Sequence, residues 1–113
     1  MHEYSIVSAL LQRVEAEARS RGATSVGCIR VALGELSGVD PELLSTAYEV
    51  FRERTLCQDA PMEVRTVPAI WVCPRCGQTL ASGQILRCLS CQIPARLATG
   101  DEIILEQIEM EVA

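Results

Sequence analysis

The stretch from Val26 to Leu44, VGCIRVALGELSGVDPELL, contains a strand, a turn and the start of a helix. In its first part, apolar side chains alternate with side chains of mixed polarity, which predicts a strand from Val26 to Leu36. Residues 34–39, which overlap its end, contain two glycines and a serine, a composition typical of a turn. Asp40 and Pro41 then supply an N-cap acid and a first-turn proline, so a second helix is predicted to begin there.

The remaining elements extend to both sides of this stretch. A first helix is predicted almost from the start of the chain to a glycine stop at Gly22. Strands are predicted over Met62 to Val67, with an extension over Ala69 to Val72, and over Glu102 to Val112. The first helix is indicated by apolar residues at three- and four-residue spacing: Ile6, Val7, Leu10, Leu11, Val14 and Ala18.

This order of elements predicts an α+β fold, with two helices packed on a three-stranded mixed sheet. The second helix links two parallel strands by a right-handed crossover. The segment before the last strand acts as a long hairpin tip and returns that strand beside Met62 to Val67. We expect residues 1–70 together with 101–113 to form one domain. Residues 71–100 are expected to form a small zinc-ribbon-like module.

Composition excludes several classes of function. The net charge is −5 and the aromatic fraction is 4%, which disfavours binding of phosphate backbones or stacked bases, so no nucleic-acid partner is expected. The sequence shows no signal peptide and no apolar run of about 18 residues, so no membrane association and a cytoplasmic location are expected. A Ser-His-Asp set, a phosphate loop and a paired-carboxylate cleft are also not evident, so an enzyme is not expected.

Two C-x-x-C pairs, Cys73 with Cys76 and Cys88 with Cys91, are separated by eleven residues. Four thiolates in a tetrahedron are the donor set of closed structural zinc sites. Two disulfides, a redox dithiol or iron in the same thiolate cage are the alternatives. Of the two isolated cysteines, Cys28 is expected to be a small buried hydrophobe, whereas Cys57 lies in a predicted loop where it could be exposed. Neither is assigned a function.

The single histidine is residue 2. A histidine near a chain terminus is usually a mobile surface side chain. However, the Met1 amine, the backbone nitrogen of residue 2 and the His2 imidazole can chelate one ion in adjoining rings. Such nitrogen-rich sets suit Ni(II) or Cu(II). Glu3 is able to add an oxygen ligand or to accept a hydrogen bond beside the metal.

Together these motifs resemble the HypA/HybF family. The resemblance rests on Met1 to Ile6, on the Gly34 to Leu44 stretch, on the two cysteine pairs and on Ile108 to Glu111, which occur in the family's order and spacing. It implies a metallochaperone that delivers nickel to the large subunit of NiFe hydrogenase, with a GTPase maturation protein as a further partner.

The resemblance also implies roles for individual residues. His2 would be the principal nickel ligand, with Glu3 and the Met1 amine as contributors. Asp40 aligns with an acidic position near that site, although a helix N-cap is a sufficient role. Some relatives carry histidines beside the zinc cysteines, and their absence here disfavours nickel sensing, pH sensing and delivery to urease. The cysteines that would ligate zinc are Cys73, Cys76, Cys88 and Cys91.

Two other functions remain open from the residues alone. A zinc-ribbon module could bind nucleic acid or another protein without any role in nickel delivery. An electron carrier could hold iron in the thiolate cage.

Overall fold

The computed structural model describes residues 2–80 and 85–113, which form two helices and eight strands. The chain forms two compact units. One contains Met1–Ala32, Val39–Arg65 and Ile104–Ala113, and the other contains Leu33–Gly38 and Thr66–Ile103. The elements are α1 (His2–Ser20), β1 (Ala23–Gly34), α2 (Pro41–Phe51), β2 (Met62–Val67), β3 (Ile70–Val72), β4 (Thr79–Leu80), β5 (Arg87–Cys88), β6 (Ile93–Pro94), β7 (Arg96–Thr99) and β8 (Ile103–Val112).

Helix α1 buries the apolar stripe that predicted it. It ends as expected at Gly22, which takes the left-handed conformation with φ of 67°. The helix packs against α2, and the rings of Tyr4 and Phe51 meet edge to face with centroids 5.3 Å apart. The buried members of the stripe are Val7, Leu10, Leu11, Val14 and Ala18.

Helix α2 begins after its predicted N-cap and buries Leu44, Ala47 and Tyr48. The hydroxyl of Tyr48 donates to the Ala60 carbonyl at 2.8 Å, which ties the segment after the helix back to its buried face. The same segment contains Cys57, which is fully buried. Cys57 is therefore not an exposed loop residue, because the loop folds inward onto α2.

The main sheet has the strand order β2-β1-β8. Strand β1 runs parallel to β2, since Ile29 N–H donates to Pro61 O at 3.0 Å and, further along both chains, Glu35 N–H donates to Val67 O at 2.8 Å. It runs antiparallel to β8, since Gly34 N–H donates to Glu102 O at 2.8 Å and the hydroxyl near the start of β1 reaches a carbonyl near the end of β8. The predicted mixed three-stranded sheet is confirmed.

The predicted position of the last strand, however, is wrong. Strand β8 pairs with β1 and not with β2. Strand β1 is the most apolar of the three, and it buries consecutive residues from Val31 to Gly34. Such a strand needs neighbours on both edges and cover on both faces, so it occupies the centre of the sheet.

Charged side chains from all three strands interact across the main sheet. The Arg30 guanidinium of β1 contacts Glu63 of β2 at 2.8 Å and Glu109 of β8 at 3.0 Å. Arg65 and Glu106 form a two-point pair at 2.8 and 2.7 Å. These exposed pairs each add little stability. The Arg30 pairs link β2 and β8 to the central strand, and the Arg65–Glu106 pair links β2 and β8 to each other.

The second compact unit contains two small antiparallel sheets. Strand β3 is the centre of the order β4-β3-β7, and β5 pairs with β6. A register shift interrupts the β3–β7 pairing between Ile70 and Trp71. Compactness by itself does not define an independently folding domain, so the boundaries at residues 71 and 100 stay a prediction.

Backbone segments meet closely where β1 ends. A Cβ added to Gly34 would lie 2.3 Å from the Gly100 carbonyl oxygen, and one added to Gly100 would lie 2.6 Å from the Ala69 Cα. Leu36 N–H donates to Gly100 O, and Ala69 N–H donates to the Glu35 carboxylate at 2.7 Å. Glycine is therefore required at both positions of this contact.

Replacing Gly34 by alanine tests this contact. We expect Gly34→Ala to lower the free energy of unfolding by about 2 to 3 kcal/mol, because backbone must move to admit the methyl group. The matched control is Gly27→Ala in the same strand, where the nearest atom to an added Cβ is 3.8 Å away. Urea denaturation followed by circular dichroism measures both, and equal stabilities would show that the junction is not rigid.

Candidate metal centres

The first cysteine knuckle is a tight turn built by backbone hydrogen bonds around Cys73. Gly77 N–H donates to the Cys73 carbonyl at 2.9 Å, and Cys73 N–H donates to Gln78 O at 2.9 Å. Cys76 N–H points at the Cys73 Sγ, 3.5 Å away. Gly77 has φ of 76°, a left-handed conformation that glycine adopts without steric cost.

The second knuckle repeats this pattern at the same spacing. Gln92 N–H donates to Cys88 O at 2.8 Å, and Cys91 N–H lies 3.4 Å from Cys88 Sγ. Here the left-handed position is taken by Gln92, with φ of 59°. A side-chain hydrogen bond from Gln92 Nε2 to Leu89 O at 2.8 Å helps to hold a conformation that non-glycine residues rarely adopt.

The two knuckles bring four sulfurs together. One ligand atom from each of Cys73, Cys76, Cys88 and Cys91 lies within 4.8 Å of the others, and this is the one such group of metal-ligating side chains found in residues 2–80 and 85–113. The Cys76 and Cys88 sulfurs are 3.8 Å apart. Cys73 and Cys88 are buried, Cys91 is half-buried and Cys76 is exposed. The sequence-predicted set is thus assembled at one point.

Two of the four thiols, those of Cys73 and Cys91, have pKa values shifted in opposite directions. The N–H of Cys76 lowers the pKa of the Cys73 thiol to about 6, because it stabilises the thiolate. Burial and the neighbouring thiols raise the pKa of Cys91 to about 12. Four thiolates this close repel one another strongly without a cation. The arrangement therefore suits a divalent ion that prefers four sulfur ligands.

At the N-terminus the structure describes only part of the predicted nickel site. Met1 and the side chain of His2 lie outside the described residues. Helix α1 begins at His2, and the Glu3 carboxylate accepts a hydrogen bond from the Asp40 N–H at 3.3 Å. The structure thus brings together Glu3 and Asp40, which are 37 residues apart in the sequence.

Asp40 is an N-cap, as its sequence context predicts. Its Oδ1 accepts hydrogen bonds from Glu42 N–H at 2.9 Å and Leu43 N–H at 3.2 Å. These bonds satisfy two donors of the first turn of α2. A carboxylate has further lone pairs, so capping does not exhaust the capacity of this group to accept or to ligate.

Sequence reasoning missed two residues that shape the second knuckle. The residue type at position 92 does not indicate a left-handed backbone, since glutamine has no special preference for that conformation. Arg87, immediately before Cys88, donates through its guanidinium to the Gln92 carbonyl. The equivalence of Gln92 with Gly77, each one residue after a C-x-x-C pair, is the signal that would have identified the position.

The fold and the cysteine cluster define a small α+β protein with a four-cysteine group that could hold a metal ion and a contact between Glu3 and Asp40 at the first turn of α1. The family model described as "Hydrogenase/urease nickel incorporation, metallochaperone, hypA" matches residues 1–110. The chain therefore belongs to the HypA family. No helix in the described part of the chain is long and apolar enough to span a membrane.

Relatives are similar along their full length. The hydrogenase maturation factor HypA of Wolinella succinogenes is 42% identical over 98% of this chain and 96% of its own. That of Shewanella halifaxensis is 39% identical over 100% of both. The solution structure of the Ni metallochaperone HypA from Helicobacter pylori aligns with a TM-score of 0.74 at 29% identity, covering 98% of both chains. A second HypA solution structure aligns with a TM-score of 0.81 at 29% identity, covering 100% of this chain and 98% of the other.

The capping role of Asp40 can be tested by substitution. Asp40→Ala should lower the free energy of unfolding by about 1 kcal/mol, because two first-turn donors lose their acceptor. Asp40→Asn keeps an acceptor oxygen and should leave stability nearly unchanged. Urea denaturation of both variants measures the difference. If both lose the same stability, the negative charge and not the cap is the contribution of Asp40.

Proposed function

We propose that this chain binds Ni(II) at its N-terminus and delivers it to the large subunit of NiFe hydrogenase during maturation, without an enzymatic step. The observation that carries the proposal is the family match over residues 1–110, which includes the Met-His-Glu start. A GTPase maturation protein is the proposed second partner. The cytoplasm is the proposed location, because thiolate ligands need a reducing compartment.

The start of α1 suits a site made of backbone nitrogens. The first N–H groups of a helix have no carbonyl four residues earlier to bond to. Helix α1 begins at His2, so a metal that displaces an amide proton there breaks no bond of the helical ladder. The Met1 amine, with a pKa near 8 in free peptides, gives up its proton to a competing metal at modest cost.

The helix dipole opposes a cation at this end, by about 0.3 to 1 kcal/mol. Carboxylates counter that effect. The Glu3 carboxylate lies in the first turn of α1 and accepts a hydrogen bond from the Asp40 backbone N–H at 3.3 Å, so a second acidic residue lies next to it. We infer that His2 is the principal ligand, that the Met1 amine completes the chelate, and that Glu3 contributes an oxygen or a hydrogen bond beside the metal.

We further propose that the four-cysteine cluster holds structural zinc. Zinc takes four thiolates in a tetrahedron, and the sulfurs lie within 4.8 Å of one another. A closed four-thiolate zinc site would order the module and take no part in nickel transfer. Iron in the same cage is the chemical alternative, and a coloured preparation distinguishes it.

The proposed zinc ligands are tested by metal analysis. Cys73→Ala and Cys91→Ala should each release zinc and disorder the module, since the metal supplies on the order of 10 kcal/mol to such sites. The control is Cys28→Ala, which removes a buried cysteine outside the cluster. Zinc per chain and the ¹⁵N–¹H spectrum measure the outcome. Full zinc retention in either cluster variant contradicts the assignment.

The nickel site is tested by calorimetric titration of the untagged protein. His2→Ala should lose stoichiometric nickel binding and keep one zinc per chain. A residue added before Met1 should also abolish most nickel affinity, because an amide replaces the amine, whereas a histidine-free C-terminal tag should not. Binding should weaken below neutral pH as the imidazole and the amine retain their protons.

The His2→Ala protein and the N-terminally extended protein distinguish the contribution of the imidazole from that of the amine. Equal nickel affinity of the native and extended proteins would exclude the amine and move the site to side chains such as His2, Glu3 and Asp40. Loss of zinc with retention of nickel in His2→Ala would show that the two metals have been assigned the wrong way round.

A further inference from the structure

The segment of residues 71–100 differs in charge from the rest of the chain. It contains Arg75, Arg87 and Arg96 and no acidic residue, whereas the other residues contain seven arginines and fifteen acidic residues. All three arginines are exposed. Zinc held by four thiolates would contribute two negative charges, which leaves this segment with a net charge of +1 against −8 for the rest of the chain, so the segment is still the positively charged part of the molecule.

The same segment also exposes large aliphatic side chains. Ile85 is 77% exposed and Leu89 is 78% exposed, the two highest values among the large apolar residues of the described chain. Both line a cleft of about 480 Å³ together with Leu80 and Arg87. The other lining residues are Gln78, Thr79, Cys88 and Ser90.

The knuckle geometry does not require a leucine at position 89. The equivalent position of the first knuckle, directly after its first cysteine, is Pro74. A polar residue at this position would leave the knuckle intact and would be better hydrated than the exposed leucine. Contiguous exposed apolar residues rimmed by polar ones are typical of binding surfaces.

We propose that this cleft is a docking surface for a partner-protein segment that carries aliphatic side chains flanked by carboxylates. The aliphatic side chains would cover Ile85 and Leu89, and a carboxylate would pair with Arg87. The Arg87 guanidinium donates a hydrogen bond to the Gln92 carbonyl. A guanidinium has five N–H donors, so others remain for a carboxylate. Among the described residues Arg87 forms no ion pair.

A peptide segment fits this surface better than a nucleic acid. The lining residues that the structure describes include no aromatic ring, and aliphatic side chains do not provide a platform for stacked bases. One lining arginine is also far short of the several phosphate contacts that nucleic-acid binding requires. The proposal does not depend on nickel binding at the N-terminus, because it concerns only the described residues 78–80 and 85–90.

The test uses the full chain with its metal and a short fluorescein-labelled peptide in which glutamates flank two leucines. Fluorescence anisotropy should show saturable binding, which Leu89→Ser and Arg87→Gln each weaken about tenfold, the loss expected for one buried aliphatic contact or one charge pair. Ile104→Ser and Arg96→Gln, which make the same changes outside the cleft, should bind as the native protein does. Metal content confirms that each variant is folded.

Amide chemical shifts of the unsubstituted protein provide a second measurement. They should change at Thr79, Leu80, Ile85 and Leu89 on addition of the peptide, and a peptide with lysine in place of glutamate should bind at least tenfold more weakly. Absence of binding, shifts confined to other residues, or equal affinity of all four variants would each overturn the proposal. Tighter and strongly salt-dependent binding of a labelled oligouridine would overturn it in favour of nucleic acid.

Discussion

The approach of Gly34 to Gly100 is the constraint on which the rest of the fold depends. At this point the chain leaving β1, the chain leaving β2 and the chain entering β8 all bond to one another through backbone groups, with Glu35 N–H on Val67 O and Leu36 N–H on Gly100 O. Because no side chain fits between these backbone segments, their register is fixed, and the strands diverge from one another only at this point. The contact thereby fixes where the segment that bears the cysteines begins and ends.

Features encoded by neighbouring residues could be predicted from the sequence. The apolar stripe of α1, the Asp40-Pro41 start of α2 and the glycine stop at Gly22 all depend on interactions within a few residues, and the structure confirms each. The four cysteines belong to the same class, because two local turns carry the whole donor set. The general architecture followed from the order of these elements.

Features that depend on distant residues could not be predicted in this way. Hydrophobic alternation identifies β8 as a half-buried strand but does not say which strand it joins, and its place beside β1 comes from the need to cover both edges of an apolar centre. Burial of Cys57 arises from the Tyr48 bond to Ala60, which no local pattern reveals. The contact of Glu3 with Asp40 likewise requires the packed helices.

The central position of β1 also determines when the protein can finish folding. One neighbour of β1 follows after a single helix, but pairing with β8 joins Thr24 to Glu111, which are 87 residues apart. Contacts between such distant residues form slowly, and an uncovered strand edge invites pairing with other chains. During synthesis the most apolar strand therefore waits with one edge open until the final strand has left the ribosome.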